Sequence, residues 1–209
     1  MNEKVSWQDL VSKKGWVQVS YDKASWIPCP PIFPPGHNRE SWAASFAQAK
    51  WEASGLKHGK GEVNLLASQL SSIHESTYSG IDCQLAWINL PDPRLLPVPV
   101  RVGIWESRGD RDTQFRSLTH ADDPAAVEPP IVEAFSTERL GTGLKTLRYL
   151  RTAGGSGDLY AGLNYAFRST EHETDLRVFT ACQDLGRLQR ALPDIDELVR
   201  GMTIVPRKD

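Results

Sequence analysis

The residues able to do nucleophilic, acid–base or metal chemistry are few and scattered. Histidines stand at His37, His58, His74, His120 and His172, and cysteines at Cys29, Cys83 and Cys182. No His-x-x-x-His, Cys-x-x-Cys or Cys/His ladder occurs. A zinc site would have to be assembled by the fold from distant residues. Three cysteines without a secretory signal suit reduced thiols, not a disulfide framework. Cys83 and Cys182 fall in expected strands, where cysteine behaves as a small apolar residue. Cys29 lies among prolines, where it could be exposed, and Cys29 with His37 is a conceivable nucleophile pair. No helix start or basic neighbour in the sequence would lower its pKa. His74 borders the apolar face of an expected helix and reads as a structural histidine. With His58 it is the candidate base of an enzyme whose site carries no motif.

The glycine loops and acid pairs are equally unspecific. Gly141-Thr142-Gly143-Leu144-Lys145 lacks the Gly-Lys-Ser/Thr ending of a phosphate cradle and precedes a strand, so a turn or a β-bulge is expected. Gly59-Lys60-Gly61 does precede a helix, and an anion there is physically possible. Asp110/Asp112, Asp122/Asp123 and Glu171/Glu173 read as solvated loop charge, and Asp184 as a helix cap. No catalytic residue, cofactor or metal is assigned.

The elements that must position any site follow from hydrophobic period. Trp16–Tyr21 alternates as a first strand. Trp26–Gly36 holds five prolines within eight residues, which excludes a helix or a central strand and leaves an extended run. Asn38 caps a helix from Arg39 to Ser54 with Trp42, Phe46, Ala49 and Ala53 on its stripe. Trp51 falls off that stripe and is expected to be exposed. A second helix runs from Gly61 to Ser76, with Val63, Leu66, Ala67, Leu70 and Ile73 on its apolar face.

From Asp82 the period changes to two. Strands are expected over 83–90, 96–105, 131–135, 144–151, 159–167 and 176–182, with a short helix over 110–120 and a flexible hairpin turn at Gly154–Asp158. Leu185, Leu188 and Leu192 mark one or two helical turns. Pro193 then opens a separate helix that Gly201 stops, before a last short strand over 202–205. No linker or repeat divides residues 1–209, so a single domain is expected. The fold class is α+β, a mainly antiparallel meander of six or seven strands with helices packed on it.

The last third, Leu159–Arg168, Thr174–Cys182 and Leu192-Pro193-Asp194-Ile195-Asp196-Glu197-Leu198-Val199, resembles small PsbP-like and LpqN-like α/β sandwiches. In these, alternating strands lead through a leucine-proline-aspartate step into a helix and a terminal strand. The resemblance covers residues 131–205 and implies a binding or assembly protein, not an enzyme. The tryptophan-rich first half does not share it.

Composition bounds the partners. A net charge of −2 and a pI near 6.2 argue against a general nucleic-acid binder or a polybasic membrane anchor. No run of 18 apolar residues occurs, and Met1–Trp7 has no signal-like segment, so a cytoplasmic protein with no membrane partner is expected. All seven tryptophans lie within the first 105 residues. Trp26, Ile32, Phe33, Trp42 and Trp51 cluster there beside proline-extended backbone, the usual material of a protein-binding surface. A contiguous apolar patch over residues 26–56 is therefore expected, for a protein partner or for self-association. The first alternative is a small-molecule pocket between sheet and helices, lined by Trp87, Trp105, Tyr160 and Tyr165. The second is a hydrolase or transferase.

Overall fold

Two side-chain periods, 3.6 and 2, succeed one another along the chain and set its elements. The computed structural model describes residues 13–79, 83–152 and 157–207. In chain order these form β1 (Gly15–Val19), β2 (Trp26–Cys29), α1 (Arg39–Ser54), α2 (Lys60–Tyr78), β3 (Leu85–Asn89), β4 (Val98–Glu106), α3 (Arg111–Thr119), β5 (Ile131–Thr137), β6 (Gly141–Arg151), β7 (Leu159–Ser169), β8 (Thr174–Cys182), α4 (Leu185–Arg200) and β9 (Met202–Pro206). Mainly antiparallel strands with helices packed on them make this an α+β fold. The chain forms two compact units. One is Asp22–Arg101; the other lies within Met1–Tyr21 and Val102–Asp209. Among the described residues no helix is long and apolar enough to cross a membrane.

In the unit Asp22–Arg101, β2 pairs antiparallel with β3 from Trp26↔Asn89 to Cys29↔Ala86. The first residues of the proline-rich run thus join a sheet. Pro28 is tolerated because β2 ends its strand order, where a missing N–H breaks no ladder. Asn38 caps α1 reciprocally: its side chain accepts from the Ser41 N–H at 2.8 Å, and Ser41 Oγ accepts from the Asn38 N–H at 3.0 Å. Gly55 ends the helix with φ 66°.

The buried face of α1 differs from expectation. Trp42, Ala43, Ala47 and Trp51 are buried, whereas Ala49 and Ala53 are exposed. At about 100° per residue, Trp42, Phe46, Ala43, Ala47 and Trp51 span roughly half the helix circumference. A helix packed on more than one side buries such a wide arc, which brings Trp51 inside. On α2 the ridge Leu66, Leu70, His74 and Thr77 is deepest, with Val63, Ala67 and Ile73 partly buried beside it. These faces enclose Ile27, Cys29, Ala86, Ile88 and Leu90.

In the other unit, β5 to β8 form the expected antiparallel meander, in registers that include Glu133↔Lys145, Leu147↔Leu163 and Leu163↔Thr180. Residues 154–156 of the expected Gly154–Asp158 turn lie outside the described residues. β1 pairs antiparallel with β9, from Gly15↔Pro206 to Val19↔Met202. The Gly141–Lys145 stretch is neither bulge nor cradle but the start of β6. A Cβ at Gly143 would sit 2.2 Å from the Ala166 carbonyl oxygen, so close backbone approach requires glycine there.

α4 is one helix, not a short turn followed by a second helix starting at Pro193. Pro193 lies in its interior, where the missing N–H and the ring clash cost about 3 kcal/mol. Buried Leu188 and Ala191 before it, and Ile195, Leu198 and Val199 after it, hold both halves on one apolar face. Leu188, Ile195, Leu198 and Val199 each contribute roughly 1.5–3 kcal/mol on burial, which outweighs the proline.

Candidate functional site

The end of β2 and the proline that follows it are bound by side chains from both helices of their unit. Trp42 Nε1 donates to the Pro28 carbonyl at 3.3 Å, Tyr78 Oη to that of Cys29 at 2.5 Å, and His74 Nε2 to that of Pro30 at 2.9 Å. Three successive carbonyls are thereby satisfied in a segment whose prolines supply no N–H. A carbonyl only accepts, so His74 carries its proton on Nε2. The His74 ring is also the centre of an aromatic cluster. Phe33 stacks on it at 4.9 Å and 29°, Trp42 lies 5.5 Å away and Tyr78 5.1 Å.

Above this cluster an open groove of about 500 Å³ is lined by Phe33, Asn38, Arg39, Glu40, His74, Glu75, Tyr78 and Ser79. Its rim carries Arg39, paired at 3.0 Å with both Glu40 and Glu75. The Glu40 carboxyl is held below its ordinary value by its own backbone N–H and then by Arg39. Beside the groove Ile32 stands 82% exposed, on a loop turned back by a Pro34–His37 hydrogen bond at 3.0 Å and by Gly36 at φ 82°.

The other residues singled out in the sequence fall differently. Trp26, Trp42 and Trp51 are 4%, 7% and 6% exposed. The apolar surface expected of these five residues narrows to Ile32 and Phe33, because the three indoles are needed to fill the core. Cys29 is buried and His37 exposed. Burial, then Cys83, push the Cys29 thiol up to about 12, against the opposing pull of Arg101. It is a poor nucleophile at neutral pH. His58 is exposed, with Nδ1 3.0 Å from the Leu56 carbonyl oxygen and its ring 5.5 Å from Trp51. The helix start at Gly59–Gly61 already has an anion: Glu62 accepts from the Gly59 N–H at 3.0 Å.

Trp87 is buried in β3, and Trp105 lies half-buried in β4 with its ring across Gly103. Tyr160 and Tyr165 are an odd number of residues apart on β7, so they point to opposite sides of the sheet. Tyr165 is instead part of a polar cluster under α4. Its hydroxyl donates to Asp196 at 2.6 Å, and Lys145 bridges Asp196 at 3.1 Å and Glu133 at 3.2 Å. Burial first, then Asp196, push the Tyr165 phenol well above its ordinary value. The acid pairs also have local tasks: Asp110 and Asp184 cap α3 and α4, Asp122 pairs with Arg116, and Asp123 pairs with Arg148. Among the described residues no three His, Cys, Asp or Glu side chains are grouped to hold a metal ion.

The carbonyl clamp was not read from the sequence. Its one signal was a proline run followed by two helices bearing Trp42, His74 and Tyr78, donors without an evident task.

No protein-family model and no curated protein matches this chain. Among solved structures it is similar to LpqN of Mycobacterium tuberculosis, a protein involved in cell envelope biogenesis. That likeness has a TM-score of 0.50 at 7% identity and covers 92% of this chain and 84% of that one. The cyanobacterial PsbP of Synechocystis matches with a TM-score of 0.38 at 9% identity, over 98% of each chain. The LpqN likeness concerns the fold alone. It bears out the α/β-sandwich resemblance at that level and extends it into the first half, which the sequence reading left outside.

Proposed function

We propose that this protein is a non-enzymatic, cytoplasmic binding module that takes an apolar segment of a protein partner at Ile32 and the adjoining groove that Phe33 lines. The observation that carries this reading is Ile32, 82% exposed on a loop whose preceding carbonyls are clamped by Trp42, Tyr78 and His74. A large apolar side chain held out by a rigid, proline-stiffened backbone loses little entropy on binding. Burying it contributes about 1.5–3 kcal/mol, or roughly 10- to 100-fold in affinity. Trp42 braces the loop through Pro28 and Phe33, and the buried tryptophans do not touch the partner.

The test is retention of a partner from lysate of the native host by immobilised protein. The wild type retains a partner, Ile32→Asp loses it at least tenfold while unfolding at the same temperature, and a photo-crosslinker placed at position 32 captures it. Equal retention by both proteins, or no retention by either, rejects the reading.

A further inference from the structure

The charged residues that line the groove are two acids, Glu40 and Glu75, and one cation, Arg39. Arg39 is shared between both acids at 3.0 Å, so the lining keeps a net negative charge. Glu75 meets Arg39 through Oε2, and its Oε1 has no partner among the described residues. The side chains of Glu40 and Glu75 stand 63% and 69% exposed, open to an incoming group. Most donors of the lining are spent on the protein itself. The Tyr78 hydroxyl donates to Cys29, His74 Nε2 to Pro30 and the Ser79 hydroxyl to the Ser76 carbonyl at 3.1 Å. With its proton on Nε2, His74 keeps Nδ1 as an acceptor that has no partner among the described residues, on a residue only 9% exposed. The aromatic floor is formed by Phe33, His74 and Tyr78, with successive ring centroids 4.9 and 5.1 Å apart.

We infer that this groove takes an arginine side chain of the partner segment, beside the apolar residue that covers Ile32. The inference rests on Ile32 and the adjoining groove being the docking surface. Aromatic faces, a spare carboxylate oxygen and an imidazole acceptor all favour a positive charge that brings its own N–H donors. A guanidinium supplies both on a flat, weakly hydrated frame, which can lie on a ring while its edge reaches the acids. An ammonium carries the charge without the plane. An acidic segment meets two carboxylates whose one cation is already held by both, and is repelled.

Nuclear magnetic resonance titration tests this with acetyl-Ser-Leu-Arg-Leu-Ser-amide and with the same peptide carrying citrulline or glutamate in place of arginine. Citrulline keeps the shape and removes the charge. The arginine peptide moves the His74 ring-nitrogen and Glu75 amide signals saturably and binds roughly three- to tenfold tighter than the citrulline peptide, with glutamate weakest. In the double variant Glu40→Gln, Glu75→Gln, with both changes at exposed positions, arginine falls to the level of citrulline. Equal binding of arginine and citrulline overturns the inference, as does tighter binding of glutamate. An arginine preference that survives in the double variant overturns it too, as does no shift at His74 up to about 10 mM peptide. Ile32→Ser, which adds no charge, separates this outcome from that of the apolar contact. It weakens the arginine and citrulline peptides by the same factor. Loss of both peptides in Ile32→Ser without any arginine preference leaves the apolar contact standing and removes the arginine. An arginine preference that Ile32→Ser leaves untouched, with neither peptide weakened, keeps the arginine and removes the apolar contact.

Discussion

His74 Nε2 donates to the Pro30 carbonyl across 2.9 Å, while the same imidazole stacks on Phe33. One side chain thus anchors both the backbone and an aromatic ring of the proline loop. His74→Leu keeps the bulk but leaves the Pro30 carbonyl without its donor, and is expected to destabilise the protein by about 1–3 kcal/mol. Tyr78→Phe removes the 2.5 Å bond to Cys29 O and is expected to cost about 1–2 kcal/mol. Urea unfolding measures both. Wild-type stability in either variant would show that the clamp contributes nothing.

The Cys29 thiol titrates near 12 in the folded chain against an ordinary 9.0. Below pH 9 it is neutral in both folded and unfolded chains and makes no difference. Between pH 9 and 12 only the unfolded chain ionises, so this residue's contribution to stability falls by up to about 1.4 kcal/mol per pH unit. At pH 8, iodoacetamide should leave Cys29 unmodified in the native protein and alkylate it in urea. Mass spectrometry reads the site, and rapid native labelling of Cys29 contradicts the burial argument.

Arg168 grips Asp175 with two bonds, at 2.7 and 2.8 Å, and spends two further N–H groups on the carbonyls of Gly109 and Arg108, at 3.0 and 2.9 Å. Asp175 is fully buried. Arg168→Ala leaves that carboxylate unpaired and is expected to cost about 3–5 kcal/mol. Arg168→Lys recovers less than half of this, because an ammonium cannot reproduce the planar fork. Thermal unfolding separates the three proteins, and a Lys variant equal to wild type would rule out the fork as the important feature.

Tyr165, Asp196 and Lys145 share one network. Tyr165→Phe is expected to cost about 1–2 kcal/mol. Asp196→Ala costs more, about 2–4 kcal/mol, because it strips partners from both the phenol and the ammonium. The double variant should fall short of the sum by about 1 kcal/mol. Strict additivity in a denaturant-unfolding cycle would show that the network is not coupled.

Much of this architecture was legible in sequence because local chemistry and tertiary structure agree. Asn38 and Gly55 bound α1 as their capping chemistry requires, whereas Asp110, read as loop charge, caps α3. Alternation in Val98–Ile104 and Leu159–Phe167 marks β4 and β7. The misreadings are tertiary. Pro193 is a local helix-start signal overridden by apolar residues on both of its sides. Trp51 looked exposed because one stripe was assumed for a helix that buries a wide arc. Of the site, Ile32 and Phe33 were named from composition and proximity. His74 was recognised as structural, but its task was not, since the Pro30 carbonyl lies 44 residues away in sequence.

The three carbonyls at Pro28, Cys29 and Pro30 draw their donors from α1 and α2, so β2 and the loop beyond it are completed only when both helices have docked. In amide-exchange terms, the N–H of Ile27 should open together with the helix pair and not by fraying of an edge strand. The periphery of this unit would then share the protection of its centre, leaving the groove's floor as one of the last places to loosen.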